Sequence, residues 1–380
     1  MNWATSVNLK IAFDAKRAFY NRRGLGNYSR DTIRILSEQK PDNEYLLFTP
    51  KTKNAITFPL QSNCKIIKPS GFLSTRFPSL WRTFGQCKEV GLEKPDIYHG
   101  LSHELPYGIE KCNVRTVVTM HDVIFLKNPE LFPLFDRYSF RKKYSKSCLI
   151  ADKIIAISEQ TKRDLIEYMG VDEKKITVVY QGCKPIFKQS ISEDMKKNIL
   201  LKYNLPAEYM LIVCAIEKRK NHEIILQAMH AGKIDIPLVI TGRPSAYKED
   251  LLRLISAYNL QKKVIFLHNV EDTELPVIFR MATLFLYPSM YEGFGIPILE
   301  ALTSGVPVIT SKGSCFEETG GNAARYVAHD DAEELATAIC EIAENGTLAQ
   351  QMITEGYLHA ALFSDENIAN SLMRIYERLL

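Results

Sequence analysis

Glu292 and Glu300 stand on either side of a glycine-containing turn whose residue types and spacing could do chemistry. An apolar run ends at Tyr287, two glycines follow, and Pro297 opens a stretch of good helix formers, which predicts a strand-to-helix turn. Backbone N–H groups at such a turn, together with the helix dipole, favour an anion such as a diphosphate. A carboxylate can accept from the two adjacent hydroxyls of a ribose, and a second carboxylate suits the hydroxyls of a sugar. The alternative interpretation is a turn glutamate and a solvated helix glutamate.

A cationic cluster of Arg219 and Lys220 follows another apolar strand, within the sequence Cys-Ala-Ile-Glu-Lys-Arg-Lys-Asn-His over 214–222. Such a cluster could neutralise a diphosphate leaving group as a glycosidic bond breaks. A basic loop without other signals is more often a solvated one. His121 directly follows a further strand and could orient a reacting sugar through a hydrogen bond, although a lone histidine is more often structural.

Gly24 and Gly26 follow the first apolar strand. They do not complete a dinucleotide-binding fingerprint, because Ser29 occupies the third glycine position and the glycines come late. We interpret them as a glycine turn that enters a helix.

Short apolar runs alternate with helical periodicity along the chain, which predicts an α/β protein of parallel sheets covered by helices. The alternation starts again after 181–185, so we predict an N-terminal domain over 1–185, a C-terminal domain over 186–363, and an amphipathic helix over 364–380. Ligands of such sheets bind beyond the carboxyl ends of the strands, where the residues above lie. The predicted strands are 9–13, 45–48, 97–99, 114–119, 153–157, 176–180, 209–214, 237–241, 263–267, 283–287, 306–310 and 325–327.

The segment Glu-Gly-Phe-Gly-Ile-Pro-Ile-Leu-Glu-Ala over 292–301 resembles the E-x7-E signature of retaining glycosyltransferases of the GT-B fold, and its wording is similar to glycosyltransferase family 4. The resemblance implies two Rossmann-like domains facing a central cleft. It implies that Glu300 binds the ribose of a nucleotide-sugar donor. It also implies that Glu292 and the amides after it contact the donor sugar and phosphate; these residues are Gly293, Phe294, Gly295 and Ile296.

Glu-Lys-Arg-Lys-Asn over 217–221 is similar to the family's E-P-R-K-N stretch, whose basic residues hold the donor phosphates. The resemblance gives that role to Arg219 and Lys220, although many relatives carry a further arginine where this chain has Ala215.

The remaining matches are spread over both halves of the chain. The sequence around His121 resembles the family's H-D motif, and Gly24 and Gly26 resemble its G-I-G-R-Y turn near the donor phosphate. The loop after 263–267 resembles one whose backbone contacts the nucleotide base, which implicates Val270. In the family, the final helix crosses back onto the N-terminal domain, as the tail over 364–380 would.

The composition favours a cytoplasmic protein. The chain has 380 residues and 46% hydrophobic residues, enough for two domains with a core each. Its eight cysteines show no C-x-x-C spacing, which indicates neither a disulfide framework nor a zinc site. The N-terminus lacks a signal-peptide pattern, and no run of 18 apolar residues could span a bilayer.

Charge is distributed unevenly. Residues 1–190 carry 31 Lys and Arg against 19 Asp and Glu, whereas residues 191–380 carry 17 against 25. The basic half could face lipid head groups or a phosphorylated lipid carrier, which would place the protein at the inner face of the cytoplasmic membrane. A solvated basic surface is the alternative. Nucleic acid is not expected, because no recognised binding motif accompanies the basic residues.

The resemblance implies transfer of a hexosyl group, with retention, from a nucleoside diphosphate sugar to a hydroxyl of a glycan or lipid-linked acceptor in bacterial polysaccharide assembly. GDP-mannose is the first expectation, because the E-K-R-K-N and H-D-V-I-F stretches most resemble mannosyltransferases; UDP-glucose, UDP-galactose and UDP-N-acetylglucosamine remain open. No D-x-D motif is placed to bind a metal-bound diphosphate, so we expect no metal and no cofactor. The alternatives are a sugar-nucleotide epimerase of the same fold and a catalytically silent member that binds a glycan or a partner.

Overall fold

The computed structural model describes residues 8–51, 53, 55–71, 77 and 80–380. The chain divides into two compact units. The first lies within Met1–Gly182 and Asp365–Leu380, and the second is Cys183–Ser364.

The described residues of the first unit contain a seven-stranded sheet in the order β3-β2-β1-β4-β5-β6-β7, and every strand pair is parallel. Parallel strands have both faces covered, which explains why they read as apolar runs. The strands are β1 Lys10–Asp14, β2 Glu44–Phe48, β3 Cys64–Ile67, β4 Ile97–Gly100, β5 Arg115–Met120, β6 Lys153–Ala156 and β7 Ile176–Val178.

The helices that cover this sheet follow ordinary capping rules. In the best example, the Ser158 hydroxyl accepts from the Thr161 amide at the start of a helix, and Gly170 ends it in the left-handed conformation. The helices are α1 Lys16–Tyr20, α2 Gly24–Gln39, α3 Gln86–Glu93, α4 Ile124–Lys127, α5 Leu134–Ile150 and α6 Glu159–Met169, with a π-helical turn at Trp81–Gly85 before α3.

The second unit has a six-stranded parallel sheet in the order β10-β9-β8-β11-β12-β13. Its strands are β8 Met210–Val213, β9 Leu238–Thr241, β10 Val264–Leu267, β11 Leu284–Tyr287, β12 Val308–Ser311 and β13 Ala324–Val327. Its helices are α7 Glu193–Tyr203, α8 His222–Ala231, α9 Tyr247–Ala257, α10 Leu275–Met281, α11 Ile296–Thr303, α12 Phe316–Gly320, α13 Ala332–Glu344 and α14 Gly346–Ala360.

The last helix, α15 Asp365–Glu377, packs on the first unit. Arg34 on α2 pairs with Asp365 at 2.8 Å, and the buried Tyr376 hydroxyl lies 2.7 Å from His99 Nδ1. The apolar face of α15 contributes Ile368, Leu372 and Ile375 to the buried core.

Two Rossmann-like parallel α/β units confirm the predicted fold class. Each of the twelve predicted strands is present within one or two residues of its predicted ends. The sequence did not predict β3, because this edge strand is only half-buried and the charged Lys65 interrupts its short apolar run.

Candidate functional site

The strand order of the second unit reverses between β8 and β11, which lie side by side. In open parallel sheets, ligands bind beyond the carboxyl ends of the strands at such a reversal. The loop after β8 carries Arg219 and Lys220, and the loop after β11 carries Glu292. The topology therefore brings together two segments that are about 70 residues apart in the sequence.

Glu292 is the centre of a buried polar cluster. Its Oε1 accepts from Lys220 Nζ, lies 2.9 Å from Arg219 Nη1, and accepts from the Ser289 hydroxyl at 2.5 Å. Lys220 also donates to the Tyr287 hydroxyl at 3.1 Å. Arg219 donates to the Tyr291 carbonyl. One carboxylate and two cations leave the cluster with a net positive charge, which suits an anionic ligand.

The charge state of Glu292 follows from its neighbours. Burial by itself would raise the pKa of this carboxyl, but the charges of Lys220 and Arg219 and their hydrogen bonds outweigh burial and lower the pKa to about 2. Glu292 is therefore ionised at every physiological pH, and its first function in this structure is to hold the two cations in place.

Residues Gly293, Phe294, Gly295 and Ile296, which the resemblance assigns to the donor, form the turn between Glu292 and α11. Gly295 is the N-cap of α11 with φ +88°, a conformation that favours glycine, and Ile296 is the first helical residue. The Phe294 ring is buried against Phe363, with ring centroids 5.7 Å apart. The Ser314 hydroxyl accepts from the Glu292 amide at 3.2 Å and fixes the start of the turn.

Glu300 has a different environment from that of Glu292. It is buried on α11 with 8% of its surface exposed, and no hydrogen bond to its carboxyl group contributes to its pKa. Burial raises its pKa to about 7; Lys184 opposes this rise and Asp272 adds to it. A buried carboxyl without a partner is costly, so this group is suited to a ligand that brings hydroxyl donors.

Val270 lies half-buried in the loop after β10. The same loop carries Asp272, which pairs with Lys184 at 3.0 Å and influences the Glu300 pKa. The structure therefore places the Val270 loop in the electrostatic surroundings of Glu300.

His121 follows β5 in the first unit and is buried. Its Nε2 lies 2.9 Å from the Leu101 carbonyl oxygen, and because a carbonyl can only accept, this nitrogen carries the proton. Burial and the neighbouring His103 lower the pKa of His121 to about 3, so the imidazole is neutral and its Nδ1 is left as an acceptor. The Tyr28 ring meets the imidazole edge-on, with centroids 4.6 Å apart.

Gly24 and Gly26 form the first turn of α2. A Cβ on Gly26 would lie 1.7 Å from the Asn21 carbonyl oxygen, whereas a Cβ on Gly24 would meet nothing within 4 Å. Gly26 is therefore required for packing the helix start, whereas Gly24 is exposed and its position has room for a side chain.

Sequence reasoning missed several residues that support these side chains. Ser289 and Ser314 hold Glu292, and His103 accepts at Nδ1 from the His121 amide at 3.4 Å. The serines lie next to motifs that were recognised, so their position was a usable signal. Nothing in the local sequence around His103 distinguishes it, because its role depends on how β4 and β5 pair.

Within the described part of the chain, no three or more His, Cys, Asp or Glu side chains are grouped as metal ligands. No helix among the described residues combines the length and apolar character needed to cross a membrane.

The two parallel Rossmann-like units have the GT-B fold, and comparison with known proteins identifies the class of this chain. A model described as Glycosyltransferase Family 4 matches residues 22–185, and one described as Glycosyl transferases group 1 matches residues 195–359. Together they cover most of the chain, which is a GT-B glycosyltransferase.

Similar proteins include two from Escherichia coli. The O-antigen chain mannosyltransferase B is 26% identical over 98% of this chain and 100% of the relative. The serotype-specific mannosyltransferase WbdA is 26% identical over 74% of this chain, but the match spans only 36% of WbdA. A sucrose-phosphate synthase from Thermosynechococcus elongatus has the same fold, with a TM-score of 0.78, 20% identity, and coverage of 98% and 99% of the two chains.

Proposed function

We propose that this glycosyltransferase moves a mannosyl residue from GDP-mannose to a hydroxyl of a glycan or lipid-linked acceptor in polysaccharide assembly, with retention and without a metal. The contrast between the two glutamates carries the proposal. Glu292 is ionised and bound to two cations, whereas Glu300 is buried without a partner in the described structure. They flank a turn whose backbone suits a diphosphate.

Binding of the donor nucleotide would explain why the carboxyl of Glu300 is buried. The adjacent ribose hydroxyls supply two donors, which would satisfy the buried carboxyl and favour its ionised form. Arg219 and Lys220 supply the charge for the diphosphate, and Glu292 keeps both side chains ordered before the donor arrives. A preorganised cation pair stabilises the diphosphate most when the glycosidic bond breaks and its charge increases.

His121 has the chemistry of an orienting residue rather than an acid. With a pKa of about 3 it does not supply a proton at neutral pH, but its Nδ1 can accept a hydrogen bond from a hydroxyl of the transferred sugar. In the proposed step, the acceptor oxygen bonds to the anomeric carbon on the face that the diphosphate leaves. The glycosidic C–O bond breaks, and the acceptor proton passes to the departing phosphate.

Mannose is the first choice because both relatives from Escherichia coli carry mannosyltransferase names and the match to one of them covers 98% of this chain. The first unit is proposed to bind the acceptor, and its basic surface suits an anionic lipid carrier at the cytoplasmic face of the membrane.

A donor screen tests the proposal. The purified protein is titrated by calorimetry with GDP-mannose, UDP-glucose, UDP-galactose and UDP-N-acetylglucosamine, and hydrolysis of each donor is followed with and without EDTA. We expect GDP-mannose to bind most tightly and to be hydrolysed slowly in both conditions. If no donor binds, the proposed enzymatic function is wrong. If a UDP-sugar binds more tightly than GDP-mannose, that sugar nucleotide becomes the proposed donor. If EDTA abolishes hydrolysis, the protein is not independent of metal. Conversion of a donor to its epimer would favour the epimerase.

A further inference from the structure

Helix α5 has an outward face that is not typical of a solvated surface. Residues at 134, 138, 142, 145 and 149 recur every three or four positions and so share one side of the helix, with 135 and 141 at its margins. Four of these side chains are large and apolar or aromatic, and all are exposed: Leu134 by 78%, Phe135 by 80%, Tyr138 by 70% and Leu149 by 76%. We call the six residues Leu134, Phe135, Tyr138, Arg141, Lys142 and Leu149 the outward face.

The opposite side of α5 already serves the core of the first unit. Phe140 and Tyr144 pack in the ring cluster around Phe125, with centroids 5.7 Å and 5.5 Å away from it, and Cys148 is buried. The helix therefore needs no exposed apolar residues for its own folding. Exposure of four such side chains leaves apolar surface in water, which is unfavourable unless a partner covers it.

The charges on the outward face are cationic and available. Arg141 and Lys142 are exposed and form no ion pair within the described ranges, in contrast to Lys143, which pairs with Glu104 at 3.8 Å. Lys146, at the edge of the same face, lies over the Tyr107 ring at 3.0 Å from its centroid. Phe84, exposed by 60%, contacts that ring and extends the apolar surface.

We propose that the outward face of α5 is the surface by which this protein docks on a bilayer containing anionic lipids. Leucine, phenylalanine and tyrosine side chains would enter the boundary between head groups and acyl chains, while Arg141 and Lys142 contact lipid phosphates. Charge complementarity selects this partner: a neutral protein surface would match the apolar residues but not the unpaired cations. This inference rests on the proposed membrane-bound acceptor, but its test requires neither donor nor acceptor.

Sedimentation with vesicles tests the docking surface. The full chain is spun with vesicles of phosphatidylcholine alone and of phosphatidylcholine with phosphatidylglycerol. We expect salt-sensitive binding to the anionic vesicles, and loss of about tenfold or more in partitioning for R141E/K142E, because each cation near an anionic surface contributes about fivefold. L134S/F135S should lose binding to a similar extent even at low salt, because the apolar part is removed.

Matched substitutions elsewhere separate docking from general effects. Leu201 on α7 is 82% exposed and Lys197 on the same helix is exposed, so L201S and K197E remove the same residue types from the second unit. Both should bind vesicles as the unchanged chain does, with all variants retaining their thermal unfolding midpoint.

An equal loss of vesicle binding in the α7 and α5 variants would overturn the proposal, as would a failure of the unchanged chain to bind vesicles. If only L134S/F135S changes the sedimentation of the protein in the absence of vesicles, the outward face binds a second copy of this chain instead of a membrane. GDP-mannose binding, measured in parallel, reports the donor site independently.

Discussion

The two glutamates of the donor turn differ in what surrounds them, and this difference makes Glu300 the more informative residue to change. Burial raises the Glu300 pKa from its ordinary 4.5 to about 7, so between these values the folded protein binds more protons than the unfolded chain. The free energy of unfolding therefore falls as pH rises through this window. Ionised Glu300 destabilises the ligand-free protein at neutral pH and above.

Glu300→Gln should stabilise the protein and weaken donor binding. The amide has no charge to bury, so we expect a gain in the free energy of unfolding of up to about 3 kcal/mol at pH 8 and none near pH 4, because the pKa of the carboxyl that it replaces is about 7 instead of 4.5. GDP-mannose affinity should fall because an acceptor for ribose hydroxyls is lost. Denaturant unfolding and calorimetric titration measure the two effects. If the affinity for GDP-mannose is unchanged, Glu300 does not bind the ribose.

The pH dependence of donor binding should show the same group. Ribose hydroxyls favour the ionised carboxyl, so bound donor should lower the Glu300 pKa below about 7, and affinity for GDP-mannose should fall as pH decreases below 7 by up to about tenfold per pH unit. Above pH 8 it should level off. The measurement is a set of titrations at fixed ionic strength, and the Glu300→Gln protein should show a flat profile. An equal slope in that variant would assign the titration to another group.

At the scale of elements, helix α2 begins with two glycines that have the same role in the sequence motif but different surroundings in the structure. Gly26→Ala places a Cβ 1.7 Å from backbone that cannot move aside, so we expect a loss of about 2 kcal/mol or more in the free energy of unfolding. Gly24→Ala meets no atom and should leave stability within about 0.5 kcal/mol. If Gly24→Ala nevertheless lowers mannosyl transfer, the amide at 24 approaches a ligand. Full activity of the Gly24→Ala protein would show that the two glycines serve only the packing of the helix.

Helix α15 reaches β4 and β5 through a chain of buried hydrogen bonds. Tyr376 contacts His99, whose Nε2 lies 2.8 Å from Thr119 Oγ1, and Thr119 lies 3.1 Å from the hydroxyl of Tyr28, the residue whose ring packs on His121. The last helix is thus connected to a predicted site residue of the same unit.

Tyr376→Phe removes one hydroxyl from this chain and leaves His99 Nδ1 buried without its partner. We expect a loss of about 1–3 kcal/mol in the free energy of unfolding. Transfer activity should fall several-fold and GDP-mannose affinity by less, because His121 contributes one hydrogen bond to the donor sugar while Glu292, Glu300 and Lys220 are on the other unit. Tyr357→Phe, which removes the hydroxyl of a tyrosine that is 48% exposed on the second unit, is the control and should change neither. A loss of donor affinity as large as the loss of transfer in Tyr376→Phe would show that the effect is general destabilisation.

For the whole molecule, the sequence predicts those features that a local pattern of residues determines, namely the strands and the ends of helices. Buried parallel strands are continuous apolar runs, and Ser158 and Gly170 mark helix ends by their own chemistry. It does not predict the ion pairs of Glu292 or the contact between His103 and His121, because these depend on which strands lie side by side. Glu292 and His121 were recognised by motif, while their charge states and their partners, including His103, required the sheet order.

The division into two units predicts how the protein unfolds. GDP-mannose binds residues of the second unit in our proposal, so saturating donor should raise the stability of that unit by about 2.7 kcal/mol at 100 times the dissociation constant. Calorimetry should show two transitions, of which one shifts. Tyr376→Phe should lower only the other transition, and Ile339→Val, which trims a fully buried side chain of the second unit, should lower the donor-sensitive one by about 1 kcal/mol. A single transition moved equally by donor and by both substitutions would show that the units unfold together.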